Sequence, residues 1–220
     1  MTPERFQLIQ RTLNRRQPDL TVLADGIHKT HNVAAVVRSC DAVGVLDVHA
    51  VSPGGEIPRH HATNAGASRW TRLHTHDSVV SAARALKDDG FQILAAHLSD
   101  TAVDFRDIDY CKPTAILLGT ELEGVSETAI EQADQHIMVP MMGMVESLNV
   151  SVAAAVILYE AQRQRMVAKL YDECRIPTDQ YEQILFEWTY PGIARRCREL
   201  KRPYPALDEE GQMLSNPLAN

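Results

Sequence analysis

The sequence predicts an α/β fold, a mostly parallel sheet with helices on both faces, extended by helices at both chain ends. Five apolar, β-favouring runs lie at residues 20–23, 45–51, 92–98, 114–119 and 136–140, with helical periodicity at 33–43, 78–87 and 127–133 between them. Strands alternating with helices at this spacing predict parallel pairing with both faces covered. A chain of 220 residues is long enough for one well-buried domain of this kind with additions, and short for two.

Each element has a local cause. Thr2-Pro3-Glu4 starts a helix: a hydroxyl cap, a proline at the first helical position and an acid in the first turn, with Phe6, Ile9 and Leu13 following on one face. Pro18 ends it. The longest helical stretch runs from about Leu148 to Leu170, rich in Ala and Val at first and polar from Glu160 onward. Its first half is therefore expected buried and its second exposed. Two further helices, Thr178–Thr189 and Gly192–Leu200, are broken at Tyr190-Pro191, and residues 203–220 read as an irregular tail. The organisation is a helical extension at 1–19, a core at 20–160 and a helical extension with tail at 161–220.

Composition narrows the class. An apolar fraction of 45% with 23% charged residues is ordinary for a globular protein and excludes collagen-like, disordered and disulfide-framework chains. No apolar run approaches the roughly 20 residues that span a bilayer, and the N-terminus has no secretory pattern, so no membrane association and a cytoplasmic location are expected. Cys40, Cys111, Cys174 and Cys197 are scattered without a C-x-x-C pair, which suits structural cysteines in a reducing compartment. His60-His61, His74 and His76 stand without a metal-site motif, so no metal is expected.

The net charge of −7 argues against a polyanionic partner until its distribution is considered. Residues 1–20 hold four Arg against two acids and 161–202 nine Lys/Arg against six, whereas 21–160 hold nine bases against eighteen acids. Basic ends on an acidic middle suit either phosphate contacts or merely solvated helix faces.

Three segments depart from ordinary core. In His31-Asn32-Val-Ala-Ala-Val-Val-Arg38, Asn32 fits a helix N-cap and Arg38 lies nearly two turns on among apolar neighbours, which predicts a guanidinium near the core with a carboxylate or phosphate partner. Leu117 to Gly124 reads as a buried strand ending in a glycine-bounded acidic loop. It lacks the lysine of a phosphate loop, and two acids would repel phosphates. Val139 to Ser151 is a strand end, a Met-rich loop with Gly143, then Ser147 and Asn149 opening the long helix, where both residues serve as caps or as functional groups. No G-x-G-x-x-G and no nucleophile elbow is present, which weakens nicotinamide-enzyme and hydrolase readings.

Taken together, HN-x5-R at 31–38, LLGTELEGVS at 117–126 and VPMMGMVESLNVSVAAA at 139–155 resemble, in order and separation, the three motifs of the SpoU branch of the SPOUT methyltransferases. RRQPDLTVL at 15–23, HLSDTAVDFRDIDY at 97–110 and LYEAQRQR at 158–165 are similar to the branch that 2′-O-methylates guanosine 18 of bacterial tRNA. The resemblance implies a deep trefoil knot toward the C-terminal side of the core, a homodimer, and S-adenosylmethionine as methyl donor for a ribose 2′-hydroxyl of tRNA. It implies cofactor contacts, mainly through backbone, at Ala96, Gly119, Glu121, Val139, Gly143 and Leu148. Asn32, Arg38, Glu121, Ser147 and Asn149 would face the ribose, with Arg38 activating the hydroxyl. Arg5, Arg11, Arg15, Arg16, His31, Arg163 and Arg165 are the expected RNA contacts. Ribosomal RNA as the substrate, or a non-catalytic RNA-binding protein on this scaffold, stays open at the level of motifs.

Overall fold

The computed structural model describes residues 1–26, 30–52, 69–121 and 123–218, so His60 and His61 lie outside the described residues. The chain divides into two compact units, one of residues 17–170 and one that joins the two chain ends, 1–16 with 171–220.

The larger unit is built on seven described strands: β1 (Leu20–Ala24), β2 (Asp47–Val51), β3 (Arg72–His76), β4 (Gln92–Ala96), β5 (Val103–Asp104), β6 (Thr114–Leu118) and β7 (Gln135–Met138). Their order is β3-β2-β1-β6-β4-β7-β5 and every pairing is parallel. Helices α2 (Thr30–Ala42), α3 (Val79–Asp88), α4 (Glu127–Ile130) and α5 (Val150–Val167) complete it. The period-2 alternation of the strands sorts their side chains onto two cores. Leu20, Val22, Leu94, Ile116 and Leu118 pack with Val36 and Cys40 of α2 and Ala154, Ile157 and Leu158 of α5. Leu23, Ile93, Ala95, Ala115 and Leu117 pack with Val79, Ala82, Ala83 and Leu86 of α3 and Ala129 of α4. Helices thus cover both faces, as the alternation of elements predicts.

Two strands have no counterpart in the sequence reading. In β3, Arg72-Leu-His-Thr-His reads as polar because it is an edge strand, held by ions as well as by its ladder. Arg72 donates from Nε and Nη2 to Asp47 at 2.7 Å each, and His74 Nε2 lies 2.6 Å from the same carboxylate. Burial raises the Asp47 pKa, but the His74 and Arg72 hydrogen bonds outweigh it and hold the group below its ordinary value. β5 is only two residues long at the opposite edge, followed by a 3-10 turn at Phe105–Asp107, too short for periodicity to register.

Helix α5 corrects the expected burial. Val152 and Tyr159 are exposed in its first part, while Ala161 and Arg165 are fully buried in its second. Arg165 is 0% exposed, and its guanidinium donates to Asp19 Oδ1 at 2.6 Å, Gln17 Oε1 at 3.0 Å and the carbonyls of Tyr110, Asp19 and Lys112 at 2.8, 3.0 and 3.0 Å. This residue ties α5 to the segments entering β1 and β6. A buried cation is tolerated when paired and hydrogen-bonded in this way.

In the smaller unit, α1 (Pro3–Asn14) buries Phe6, Ile9 and Leu13 and packs on α6 (Thr178–Thr189), which α7 (Pro191–Glu199) follows. Thr2 caps α1 by accepting from Arg5 N, as its sequence predicts. The tail is irregular in conformation yet anchored: Tyr190 Oη donates to Gly211 O at 2.8 Å, and Tyr204 stacks on Phe186 with centroids 4.8 Å apart. Gly211 has φ +80°, and a Cβ there would lie 2.5 Å from the Phe6 ring. Arg16 is 1% exposed, with its guanidinium 5.2 Å from the Trp188 ring centroid, a buried cation–π contact.

Candidate active site

In a parallel sheet all strands end on the same edge, and the order β1-β6-β4-β7 sets four carboxyl ends side by side. The chain order reverses direction here, since β2 and β3 are added on one side of β1 and β4, β5 and β7 beyond β6. Such a switch point is where open α/β sheets leave a crevice for ligand.

The three unusual sequence segments meet at this edge. Asn32 Nδ2 donates to Glu121 Oε1 at 2.6 Å, Asn149 Nδ2 donates to the same oxygen, and Asn149 Nδ2 lies 3.4 Å from Asn32 Oδ1. Asn32 is 2% exposed, so its amide requires partners inside the protein and finds them on residues 89 and 117 positions away. Asn149 serves twice. Its Oδ1 caps α5 by accepting from Ser151 N at 2.9 Å, which leaves the amide nitrogen for Glu121. Asn32 differs from expectation: α2 begins at Thr30, so Asn32 stands inside the first turn and its side chain serves Glu121 instead of capping.

Glu121 is presented by a tight turn. Thr120 and Gly124 exchange backbone bonds of 2.8 and 3.1 Å, and Thr120 Oγ1 accepts from Glu123 N at 3.0 Å. Gly124 has φ +70°, and a Cβ on Gly119 would lie 2.0 Å from Gly124 O. Both glycines of the motif are thus backbone requirements. Asp25, at the end of β1, accepts from Ser126 Oγ at 2.6 Å and Ser126 N at 3.3 Å, and Ser126 caps α4. The sequence reading passed over Asp25, whose only signal is its position just after a buried strand.

Arg38 is exposed on α2, and among the described residues its side chain has no hydrogen bond or ion pair. The expected placement near the core is overturned: Val36 and Val37 turn inward, and the helical rotation carries Arg38 out. His31, Gly143 and Ser147 are also exposed, Ala96, Val139 and Leu148 half-buried, and Gly119 buried. Residues 141–148 form no hydrogen bonds among the described residues, and Met142 and Met144 are 93% and 99% exposed. A loop with free backbone donors and acceptors beside bare thioether side chains fits a ligand with a polar base and an apolar, sulfur-bearing arm.

The expected RNA contacts divide. Arg5, Arg11 and Arg15 are exposed, and Arg163 is exposed but forked onto Glu160 at 2.8 Å through both Nε and Nη2. Arg16 and Arg165 are buried and occupied, so neither presents its charge to a phosphate, and these two assignments are corrected. Sequence patterning cannot separate Arg165 from Arg163, because both lie on α5 and the two-residue rotation of about 200° between them does not say which side meets protein.

An open parallel sheet with a hydrogen-bonded amide–carboxylate cluster at its carboxyl edge has the architecture of the α/β proteins that bind ligands at that edge. Residues 19–159 match the model of the SpoU rRNA methylase family and 163–216 that of the SpoU rRNA methylase C-terminal region, and the chain belongs to this family. It is 48% identical over 215 residues to the tRNA (guanosine(18)-2′-O)-methyltransferase of Escherichia coli K12, covering 97% of this chain and 94% of that one. The crystal structure of the A. aeolicus TrmH/SpoU tRNA modifying enzyme superimposes with a TM-score of 0.78 at 40% identity, over 86% of this chain and 97% of that one. An AdoMet-bound rRNA methyltransferase from Sinorhizobium meliloti superimposes with a TM-score of 0.60 at 25% identity, over 70% of this chain and 59% of that one.

Proposed function

We propose that this chain transfers a methyl group from S-adenosylmethionine to the ribose 2′-hydroxyl of guanosine 18 in tRNA. The observation that carries the reading is the convergence of Asn32, Glu121 and Asn149, one residue from each motif, in one hydrogen-bonded cluster. The relative from E. coli, which this chain resembles over nearly its whole length, supports the substrate.

When bound, S-adenosylmethionine supplies a methyl group on a sulfonium, open to in-line displacement by an oxygen. The backbone of Gly119, Glu121, Val139, Gly143 and Leu148, with Ala96 beside them, would hold it. Asn32 and Asn149 fix the Glu121 carboxylate in one orientation, so the site need not reorganise when the ribose arrives. Arg38 projects into solvent without a competing anion among the described residues, which suits a group reserved for the RNA. A guanidinium, with a pKa above about 12, is a poor base in the ground state. Arg38 therefore activates the hydroxyl by stabilising the charge that develops on its oxygen, with the neighbouring RNA phosphate assisting proton removal. Ser147, exposed on the apolar loop, lines the ribose side.

The reading includes a trefoil knot, pairing of two chains across a two-fold axis and a cytoplasmic location, all supported by the family. Transfer of tritiated methyl to unmodified tRNA, with the modified nucleotide mapped, is expected to label guanosine 18. Label on ribosomal RNA alone, or none, overturns it.

A further inference from the structure

The end of β1 and the loop that follows β6 are tied together twice beyond their ladder. The two strands pair in register as far as Ala24 with Leu118, and Asp25 N donates to Leu118 O at 2.8 Å. Both segments then leave the sheet, and side chains take over. Within the loop, Glu121 Oε1 accepts from Asn32 Nδ2 at 2.6 Å. At its far end Ser126 Oγ donates to Asp25 Oδ2 at 2.6 Å, and Ser126 N donates to the same oxygen at 3.3 Å. The proposed chemistry uses the first bridge and leaves the second unexplained.

Capping does not account for it. Ser126 Oγ accepts from Ala129 N at 3.2 Å and so caps α4, a helix of four residues. Ser78 performs the same task for the ten-residue α3, and its hydroxyl proton goes to Ser81 Oγ, three residues on, at 3.1 Å. A serine cap therefore needs no carboxylate. The Ser126 proton instead crosses to a residue 101 positions earlier, and since a carboxylate only accepts, the direction of the bond is fixed. A length of 2.6 Å is that of a charge-assisted O–H···O bond. Folding does not require it either. Ser126 is exposed and Asp25 half-buried, so water would satisfy both groups if the bond opened. What the bond does fix is the loop. The bonds of Thr120 to Gly124 and of Glu123 N to Thr120 Oγ1 close the turn upon itself and leave open how it stands on the sheet. Asp25 supplies that reference, because it continues directly from β1.

We infer that Asp25 is a positioning residue for cofactor binding. Acting through Ser126, it holds residues 119–126 in the conformation whose Gly119 and Glu121 backbone receives S-adenosylmethionine. The inference rests on the proposed function, and it gives Asp25 no contact with cofactor, ribose or RNA. A loop ordered in advance binds more tightly, because less freedom is lost when the ligand arrives.

The test uses the full chain with Asp25→Ala, Asp25→Asn, Ser126→Ala and the Asp25→Ala/Ser126→Ala double variant. Calorimetry well below the melting range reads S-adenosylmethionine affinity. Asp25→Ala is expected to weaken it about tenfold, the scale of one charge-assisted hydrogen bond. Asp25→Asn keeps an acceptor for the serine hydroxyl at about half the bond strength, so a loss of about threefold is expected. The double variant is expected to bind no worse than the weaker-binding single, since each change breaks the same link. The single-turnover rate at saturating cofactor and the affinity for unmodified tRNA are expected to stay within about twofold of wild type. A residue needed only for folding would lower the melting temperature and leave cofactor affinity alone. Wild-type cofactor affinity in Asp25→Ala, or losses that add in the double variant, overturns the inference. Should Asp25→Ala fail to fold, wild-type affinity in Asp25→Asn overturns it instead. If wild type itself binds no S-adenosylmethionine, the proposed function falls and this inference with it.

Discussion

Replacing Arg165 with alanine separates a structural cation from an RNA-binding one. The side chain is 0% exposed and makes five hydrogen bonds, two to the side chains of Gln17 and Asp19 and three to carbonyls. Its removal takes the Arg165 charge from a largely buried carboxylate, and breaking a buried pair from one side costs about 3–5 kcal/mol. Asp19 O keeps Thr114 N at 2.9 Å and Lys112 O keeps Thr114 Oγ1 at 2.8 Å, so Tyr110 O is the carbonyl deprived of its donor, which would add about 1 kcal/mol if it stayed dry. Asp19 retains 16% exposure and water enters the truncated space, so the total stays at about 3–5 kcal/mol. For a unit of this size each kcal/mol shifts the melting temperature by about 2–4 °C, which makes the expected drop roughly 6–20 °C. Arg165→Lys keeps the charge but offers three donors for five acceptors, so roughly half the loss is expected. Thermal unfolding followed by circular dichroism reads these shifts, and tRNA binding over a salt series below the melting range reads the rest. A variant that melts within about 2 °C of wild type while losing about 0.7–0.9 of salt slope would refute the structural assignment.

Arg38→Ala is expected to abolish methyl transfer with melting temperature and S-adenosylmethionine affinity intact, because the side chain is exposed and unpaired among the described residues. Single-turnover assays beside calorimetry check this. Asn149→Ala removes a helix cap and one of the bonds to Glu121, so about 1 kcal/mol of stability is expected to go together with most activity. Asn149→Asp keeps the cap but places a second anion against Glu121, and is expected to restore the capping bond while losing activity, with the like-charge contact offsetting the stability the cap returns. Gly119→Ala forces a Cβ to within 2.0 Å of Gly124 O, which must open the turn and weaken cofactor binding measurably in calorimetry. His49 has its pKa lowered to about 4, first by burial and then by the charges of His74 and His76. Between about pH 6.5 and 4 the unfolded chain takes up a proton that native His49 refuses, so its contribution to stability is lost as pH falls. Denaturant midpoints across that range are expected to fall less steeply in His49→Gln.

Much of the fold is legible in the sequence, because the strands at the middle of the sheet are buried on both faces and leave unbroken apolar runs. Thr114–Leu118 is buried at every position, and its boundaries agree with the reading within one residue. Helix starts set by local chemistry, Thr2-Pro3 and Ser78, appear where their caps place them, since a cap acts within three residues. Edge strands are less visible. In β3 exposed polar side chains replace the apolar signal, and the strand is specified by Asp47 across the ladder, 25 positions away from Arg72.

For the candidate site, the sequence by itself determined which segments carry unusual chemistry and which glycines its turns require. It also narrowed the start of the long helix to Ser147 or Asn149, because caps, turns and strand ends are local in the chain, and the structure gives the cap to Asn149. Only the tertiary structure decided that Asn32 and Asn149, 117 positions apart, share one carboxylate oxygen of Glu121. It alone decided that Arg165 turns into the core while Arg163, two residues earlier on the same helix, faces solvent. Two residues along a helix rotate a side chain by about 200°, and whether that rotation meets water or protein depends on what packs against α5. Here the segments are those entering β1 and β6, whose nearness to the helix follows from the order of strands in the sheet and from no pattern within the helix itself.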